Sequence, residues 1–300
     1  TIFSTLGNEL GIPFFIELAD FAKDATGAAL GISIAWALKS PKLVLFSSAA
    51  VGLAGNALGG PVGAFIATII AAELGKLVYG ETKVDIIVTP AVCIVSGVAV
   101  AMLAGPAVSA LMTAFGSLIM TATSMQPIIM GIIVSALMGI ALTLPISSAA
   151  ICIMLNLGGI AAGAATAGCC AQMIGFAVMS FKENRWGGLI AQGLGTSMLQ
   201  MPNIIKNPRI WIPPTLASMI TGPIATSVFG LKNIPVGAGM GTCGLVGPFG
   251  IISAMPEGGA SMWIGIALVC FILPAVLTLL FSTVLRRIGW IKEGDLKLQQ

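Results

Sequence analysis

The side chains in this sequence that could bind or react stand alone among long apolar runs. They are the amides Asn56, Gln126, Asn156, Gln172, Gln192, Gln200 and Asn203, the carboxylate Glu257, and the hydroxyls of Thr143, Ser147, Ser148, Thr196 and Ser197. A charged group at the centre of a bilayer costs about 2.5 to 3.5 kcal/mol on insertion scales, and buried polar groups need a partner or a cavity. Asn56, Asn156, Gln172, Gln200, Asn203 and Glu257 are therefore the candidate substrate-binding set. Neutral amides and hydroxyls suit a neutral, hydroxyl- or amide-bearing solute better than an ion. Glu257, in PEGG at 256–259, has two readings. It accepts hydrogen bonds from a solute or changes protonation if desolvated, or it is a loop carboxylate in water.

Several chemistries are missing. The chain has no histidine, which removes His-ligated metals, Ser-His and Cys-His nucleophile pairs and phosphohistidine. Its six cysteines (Cys93, Cys152, Cys169, Cys170, Cys243, Cys270) lie in apolar or Gly-rich runs without a CxxC spacing, and read as small buried hydrophobes. The methionines are scattered, with a single MxxM pair at Met198 and Met201, and read as core filling. No catalytic residue, metal set or cofactor is expected.

The elements that must position these groups are set by composition. Of the 300 residues, 57% are hydrophobic and 8% charged, against roughly a quarter charged in soluble domains. The lipid bilayer is the expected partner. A net charge of +3 from 14 basic and 11 acidic residues is too sparse for a nucleic-acid surface. A span needs about 20 apolar residues, which gives an all-α polytopic membrane protein of roughly eight to ten spans or half-spans. The 38 glycines and 16 prolines predict close packing and broken, re-entrant helices.

Three regions follow: an amphipathic N-terminal helix within 1–25, one transmembrane transport-type domain over 26–285, and a charged tail at 286–300. In the first, Glu17, Asp20, Lys23 and Asp24 share one side of a helix, which fits an interfacial or partner-docking element. No basic start with an apolar core marks a signal peptide. GNALGGP at 55–61 predicts two half-helices meeting at Asn56 to Pro61. Plain spans are expected at 86–104, 107–123 and 128–144, with a turn at Gly105-Pro106 between the first two. The run 146–179 is expected to break at NLGG (156–159) and again at GCCAQ (168–172). The Gly-dense stretch 236–259 reads as re-entrant, and 187–201 as a segment that dips in and returns. Residues 55–66 and 241–252 resemble each other, and paired Gly/Pro-interrupted segments point to a midplane binding site. Glu73 and Lys76, one helical turn apart, read as an interfacial pair. The basic loops 73–85 and 182–185, with Arg286, Arg287, Lys292 and Lys297, share one side by parity, cytoplasmic by positive-inside bias. Lys232 is left outside and Lys23 is unassigned.

The stretches TKVDIIVTP (82–90), LTLPISSAA (142–150), GCCAQMIGFA (168–177), GLGTSMLQMPNI (193–204), NPRIWIPPTLA (207–217) and GAGMGTCGLVG (237–247) closely resemble bacterial phosphotransferase-system IIC-like membrane subunits. That family also includes perfringolysin O regulatory-type proteins. The likeness runs from about residue 28 to about residue 284. It implies a multi-pass carrier of a sugar-like solute in the bacterial plasma membrane, acting as a homodimer, with a separate IIB-type protein as phosphorylating partner. The sequence departs from that pattern. It has no phosphoryl-acceptor histidine, no IIB-type Cys loop, and only PEGG where glucose-type IIC domains carry a Gly-Ile-Thr-Glu motif. The alternative is a membrane-embedded ligand sensor that regulates gene expression without transport.

Overall fold

The computed structural model describes Phe3, Gly7, residues 11–123 and residues 125–298. These form helices and turns with no strand, only an isolated bridge between Gly159 and Asn233. Four helical stretches are long and apolar enough to cross a membrane: Lys42–Val78, Asp85–Val108, Gly159–Met179 and Gly259–Arg287. The protein is thus all-α and polytopic. It divides into two compact units, one of residues 11–115 and one of residues 116–300 with the N-terminal ten.

The smaller unit opens with α1 (Pro13–Asp24) and α2 (Thr26–Ala37). Ala19 is the one residue of α1 that is buried, and Phe14, Leu18 and Phe21 are exposed. Asp20 and Lys23 pair at 3.0 Å on its outer side. This fits an interfacial helix; most of residues 1–10 lies outside the described residues. Next, α3 (Lys42–Val78) folds back on itself. Its helical geometry stops at Gly59 and at Gly60, whose φ of 60° and ψ of −159° are a conformation that L side chains avoid. Pro61 then starts the returning arm, where a missing N–H costs nothing. A Cβ placed on Gly55 would lie 2.6 Å from Ala64 Cα, so the two arms touch as a hairpin, as the GNALGGP motif predicts. Each arm has about 17 residues and is about 25 Å long. Glu73 and Lys76 form the expected pair at 2.6 Å.

Then α4 runs unbroken from Asp85 to Thr123, and the turn expected at Gly105-Pro106 is absent. Pro106 removes only one helical hydrogen bond, which an apolar helix this long tolerates. Gly105 serves packing instead, because a Cβ there would sit 3.0 Å from the Leu58 carbonyl. Large side chains such as Ile86, Val95 and Leu103 are left uncovered, the pattern of a lipid-facing surface.

In the larger unit, α5 (Pro127–Thr143), the short α6 (Ser148–Met154) and α7 (Gly159–Met179) follow in order. α7 is the centre, buried along most of its length. Ser135 of α5 lies against Gly168, and Thr143 reaches Gln172, so α5 and α7 run parallel. The stretch 144–158, carrying α6, must therefore bring the chain back. Its turn into α7 has the expected break at NLGG, with positive φ at Asn156 (48°) and Gly159 (65°). The second expected break, at GCCAQ, is not there. Residues 168–172 are continuous helix, and Gly168 is small because the Ser135 carbonyl occupies the space where a Cβ would go. α8 (Ile212–Pro223) packs antiparallel to both, with Ser135 Oγ donating to the Ser218 carbonyl at 2.7 Å. The last span, Gly259–Arg287, runs parallel to α7, with Gly175 beside Thr278 and Met179 beside Arg286. The residues after it are packed down. Ile291 and Leu296 are buried with Phe176, Met179, Ile204 and Ile210.

Candidate functional site at the tips of two re-entrant segments

Two broken segments of the larger unit enter from opposite ends of α7. The first starts as helix at Phe181–Ile190, loosens into a wide π-turn at Ala191–Gly195, and becomes extended at Thr196 (φ −160°). It returns through Ser197–Gln200 and Met201–Lys206. Thr196 caps the return, its Oγ1 accepting from Met198 N at 3.1 Å. Gln200 Nε2 donates to Gln192 Oε1 at 2.9 Å, so the two limbs clasp each other. The second segment enters at Pro235–Ala238, turns at Cys243–Leu245, and leaves along Val246–Ala254. Gly244 (φ 53°) and Leu245 (φ 59°) make that turn. Gly247 N then donates to the Gly241 carbonyl at 2.9 Å. Both stretches expected to be re-entrant are so.

The tips meet. Thr242 Oγ1 donates to the Gly193 carbonyl at 2.6 Å, beside the middle of α7, where Gly241 abuts Cys169 and Cys170. The short α6 joins them, with Ser148 Oγ donating to the Gly239 carbonyl at 2.7 Å. Thr143 and Ser197 hydroxyls lie 2.9 Å apart. Backbone ends exposed by broken helices at membrane depth need protein or solute as partners.

Of the candidate set, Gln172 is wholly buried and fully engaged. Its Oε1 accepts from Thr143 Oγ1 (3.3 Å) and Trp211 Nε1 (3.1 Å), and its Nε2 donates to Thr215 Oγ1 (3.1 Å). Gln172→Leu should strand the Trp211 indole N–H, at about 1 to 3 kcal/mol for a donor left unpaired in the interior, while Thr143 and Thr215 keep their bonds to Ser197 and the Trp211 carbonyl. A lower melting temperature is the expected result; an unchanged one would show that the network carries no stability. Gln200 and Asn203 are buried together, Asn203 Nδ2 donating to Gln200 Oε1 at 2.8 Å. Both also hold the chain's last turn, through the carbonyls of Leu296 (3.0 Å) and Lys297 (3.0 Å). Asn156 and Glu257 are exposed at the turns before α7 and after the second re-entrant segment. Asn56 is half-buried beside Gly27 in the smaller unit. Within the larger unit the structure thus gathers Gln172, Gln200 and Asn203 around the first re-entrant segment, but not Asn156 or Glu257.

Sequence reasoning missed Asn233 and Thr242. Asn233 Nδ2 donates to Thr166 Oγ1 (2.6 Å) and the Gly247 carbonyl (3.0 Å), while its Oδ1 accepts from Ile234 N (2.7 Å). Its one local signal is its place just before Pro235 and the Gly-dense run. Two cavities open by the first segment. One of about 410 Å³ is lined by Thr196, Met198, Leu199, Pro202 and Asn203. A larger one of about 1030 Å³ shares Leu199 and Asn203 with it.

Paired re-entrant segments whose tips meet around a buried central helix define a multi-pass membrane protein of transport type. The family model described as "Phosphotransferase system, EIIC" matches residues 1–298, and the chain belongs to that family. It is a membrane carrier component resembling IIC. No curated protein and no solved structure matches it.

Proposed function

We propose that this protein is the carrier subunit for a neutral, sugar-like solute in a bacterial plasma membrane. The solute is held beside the meeting tips and passed across by alternating access, in a homodimer served by a separate IIB-type protein. The observation that supports this reading best is the tip-to-tip hydrogen bond from Thr242 to Gly193. A hydrogen bond between two segments from opposite ends is a contact that a gate makes and breaks. The 410 Å³ cavity along the return limb of the first segment is within the roughly 300 to 1,000 Å³ range of small-molecule sites. Thr196 offers the solute a hydroxyl there and Asn203 its amide oxygen, the Asn203 N–H groups being bound to Gln200 and the Lys297 carbonyl. The end of the molecule that carries Arg185, Lys206 and Lys297 is cytoplasmic in this reading.

Thr196→Ala and Asn203→Ala should each weaken solute binding by about tenfold, the equivalent of one hydrogen bond lost without replacement. Asn156→Ala and Glu257→Ala should bind like the parent. Calorimetry on the detergent-purified protein with its best-binding neutral sugar checks both. Equal affinity in all four variants would place the solute elsewhere.

A further inference from the structure

We propose that the 1030 Å³ cavity is a binding site for a phosphate monoester, held by Arg185, Lys206 and Lys297. All three line it. The cavity also has two acidic residues on its wall, Glu183 and Asp295, but both are committed elsewhere. Glu183 pairs with Arg286 at 3.3 Å and accepts from the backbone N–H of Leu296 at 2.8 Å. Asp295 Oδ2 accepts from Asn207 Nδ2 (2.8 Å) and Lys292 N (2.8 Å). Among the described residues, no carboxylate forms an ion pair with Arg185, Lys206 or Lys297. The amide N–H groups of Asn184, Asn203 and Asn207 are also committed, to the carbonyls of Leu296, Lys297 and Trp290 and to Asp295. Three cations are therefore the free donors of this wall.

A second, independent observation singles out Arg185. Its backbone has φ 53° and ψ −152°, a region that is essentially glycine's own and costly for any other residue. Glycine stands at 187 and 188, where no positive φ requires it. An arginine in a glycine conformation, facing a cavity with no paired acid, is the arrangement of a ligand clamp. A phosphate monoester carries about −1.5 to −2 charges near neutral pH and matches guanidinium geometry. The cavity far exceeds a bare phosphate, which leaves room for an organic group. This site takes a charged ligand and does not depend on the carriage of a neutral solute.

The test is a thermal-shift and calorimetric titration of the full chain in nanodiscs of neutral lipid, with inorganic phosphate and glycerol 3-phosphate against sodium chloride at matched ionic strength. A saturable rise in melting temperature with the phosphates alone is expected. Arg185→Gly should weaken binding at least tenfold while melting no lower than the parent, since it relieves the backbone. The exposed pair Lys206→Gln with Lys297→Gln should weaken binding similarly. Nanodiscs containing phosphatidylglycerol separate the sources. Phosphatidylglycerol is a phosphodiester, so stabilisation seen only there, and lost in the same variants, would assign the site to a lipid headgroup and overturn the monoester. A response no greater than that of chloride, or a full response in all variants, would overturn the proposal.

Discussion

Gly168→Leu should yield no folded protein. Gly168 sits mid-way along α7, where a Cβ would fall on the carbonyl and Cα of Ser135. Neither side can retreat. Ser135 is tied on its other flank to Ser218 by a 2.7 Å hydrogen bond, and α8 closes on α5 just as tightly, Gly222 abutting the Gly131 carbonyl. Extra methylenes in a tight core cost about 1 to 3 kcal/mol when side chains can shift. Here backbone meets backbone, and the helix that must move is the central one. The expected cost is more than about 3 kcal/mol, a large share of a total stability of roughly 5 to 15 kcal/mol. Fluorescence-detected size exclusion should show aggregate in place of a single peak. Gly187→Ala is the control, since nothing lies within 4 Å of a Cβ there. A monodisperse Gly168→Leu protein with the parent's melting temperature would show that the packing of α5 on α7 is misdescribed.

Asn233→Leu should have the second largest effect. The side chain is 1% exposed and fastens both limbs of the second re-entrant segment to α7, through Thr166, Ile234 N and the Gly247 carbonyl. Gly237 and Gly250 leave room only for it. Leucine would fill the volume and orphan the Ile234 N–H and the Gly247 carbonyl. At about 1 to 3 kcal/mol for each buried unpaired group, the loss is on the order of 4 kcal/mol. The melting temperature should fall by about 10 °C. A fall of less than about 2 °C would mean that water or a rearranged backbone replaces these bonds.

These two residues also mark where sequence stops being informative. The all-α membrane architecture was legible because it rests on composition and run length. The breaks at 59–61 and 156–159 and the second re-entrant segment were legible because positive φ demands Gly locally, and the first re-entrant segment because its returning helix restarts at Pro202. GNALGGP and GTCGLVGP do share a shape, each a turn whose proline lies in the first helical turn of a returning arm. The same signal misled at Gly105-Pro106 and at GCCAQ. In a membrane protein, glycine either ends a helix or lets another helix approach, and the two uses look alike in one dimension. α7 needs Gly168 for contact with a helix more than thirty residues earlier, which nothing nearby reveals. The amides fared likewise. Gln200 and Asn203 were recognisable as polar groups in apolar surroundings, but their partners, the carbonyls of Leu296 and Lys297, lie almost a hundred residues on. The charged tail packs against the same end, with Ile291 and Leu296 buried.

A carrier of a neutral, sugar-like solute, as proposed above, must move it across a membrane. The measurement is uptake of radiolabelled neutral sugars and polyols into proteoliposomes containing the purified protein. Saturable uptake of at least one of them above protein-free liposomes is expected, reduced by Thr196→Ala and Asn203→Ala in step with their loss of affinity. Tight binding of a sugar with no uptake above the protein-free control would contradict it and identify a membrane-embedded sensor.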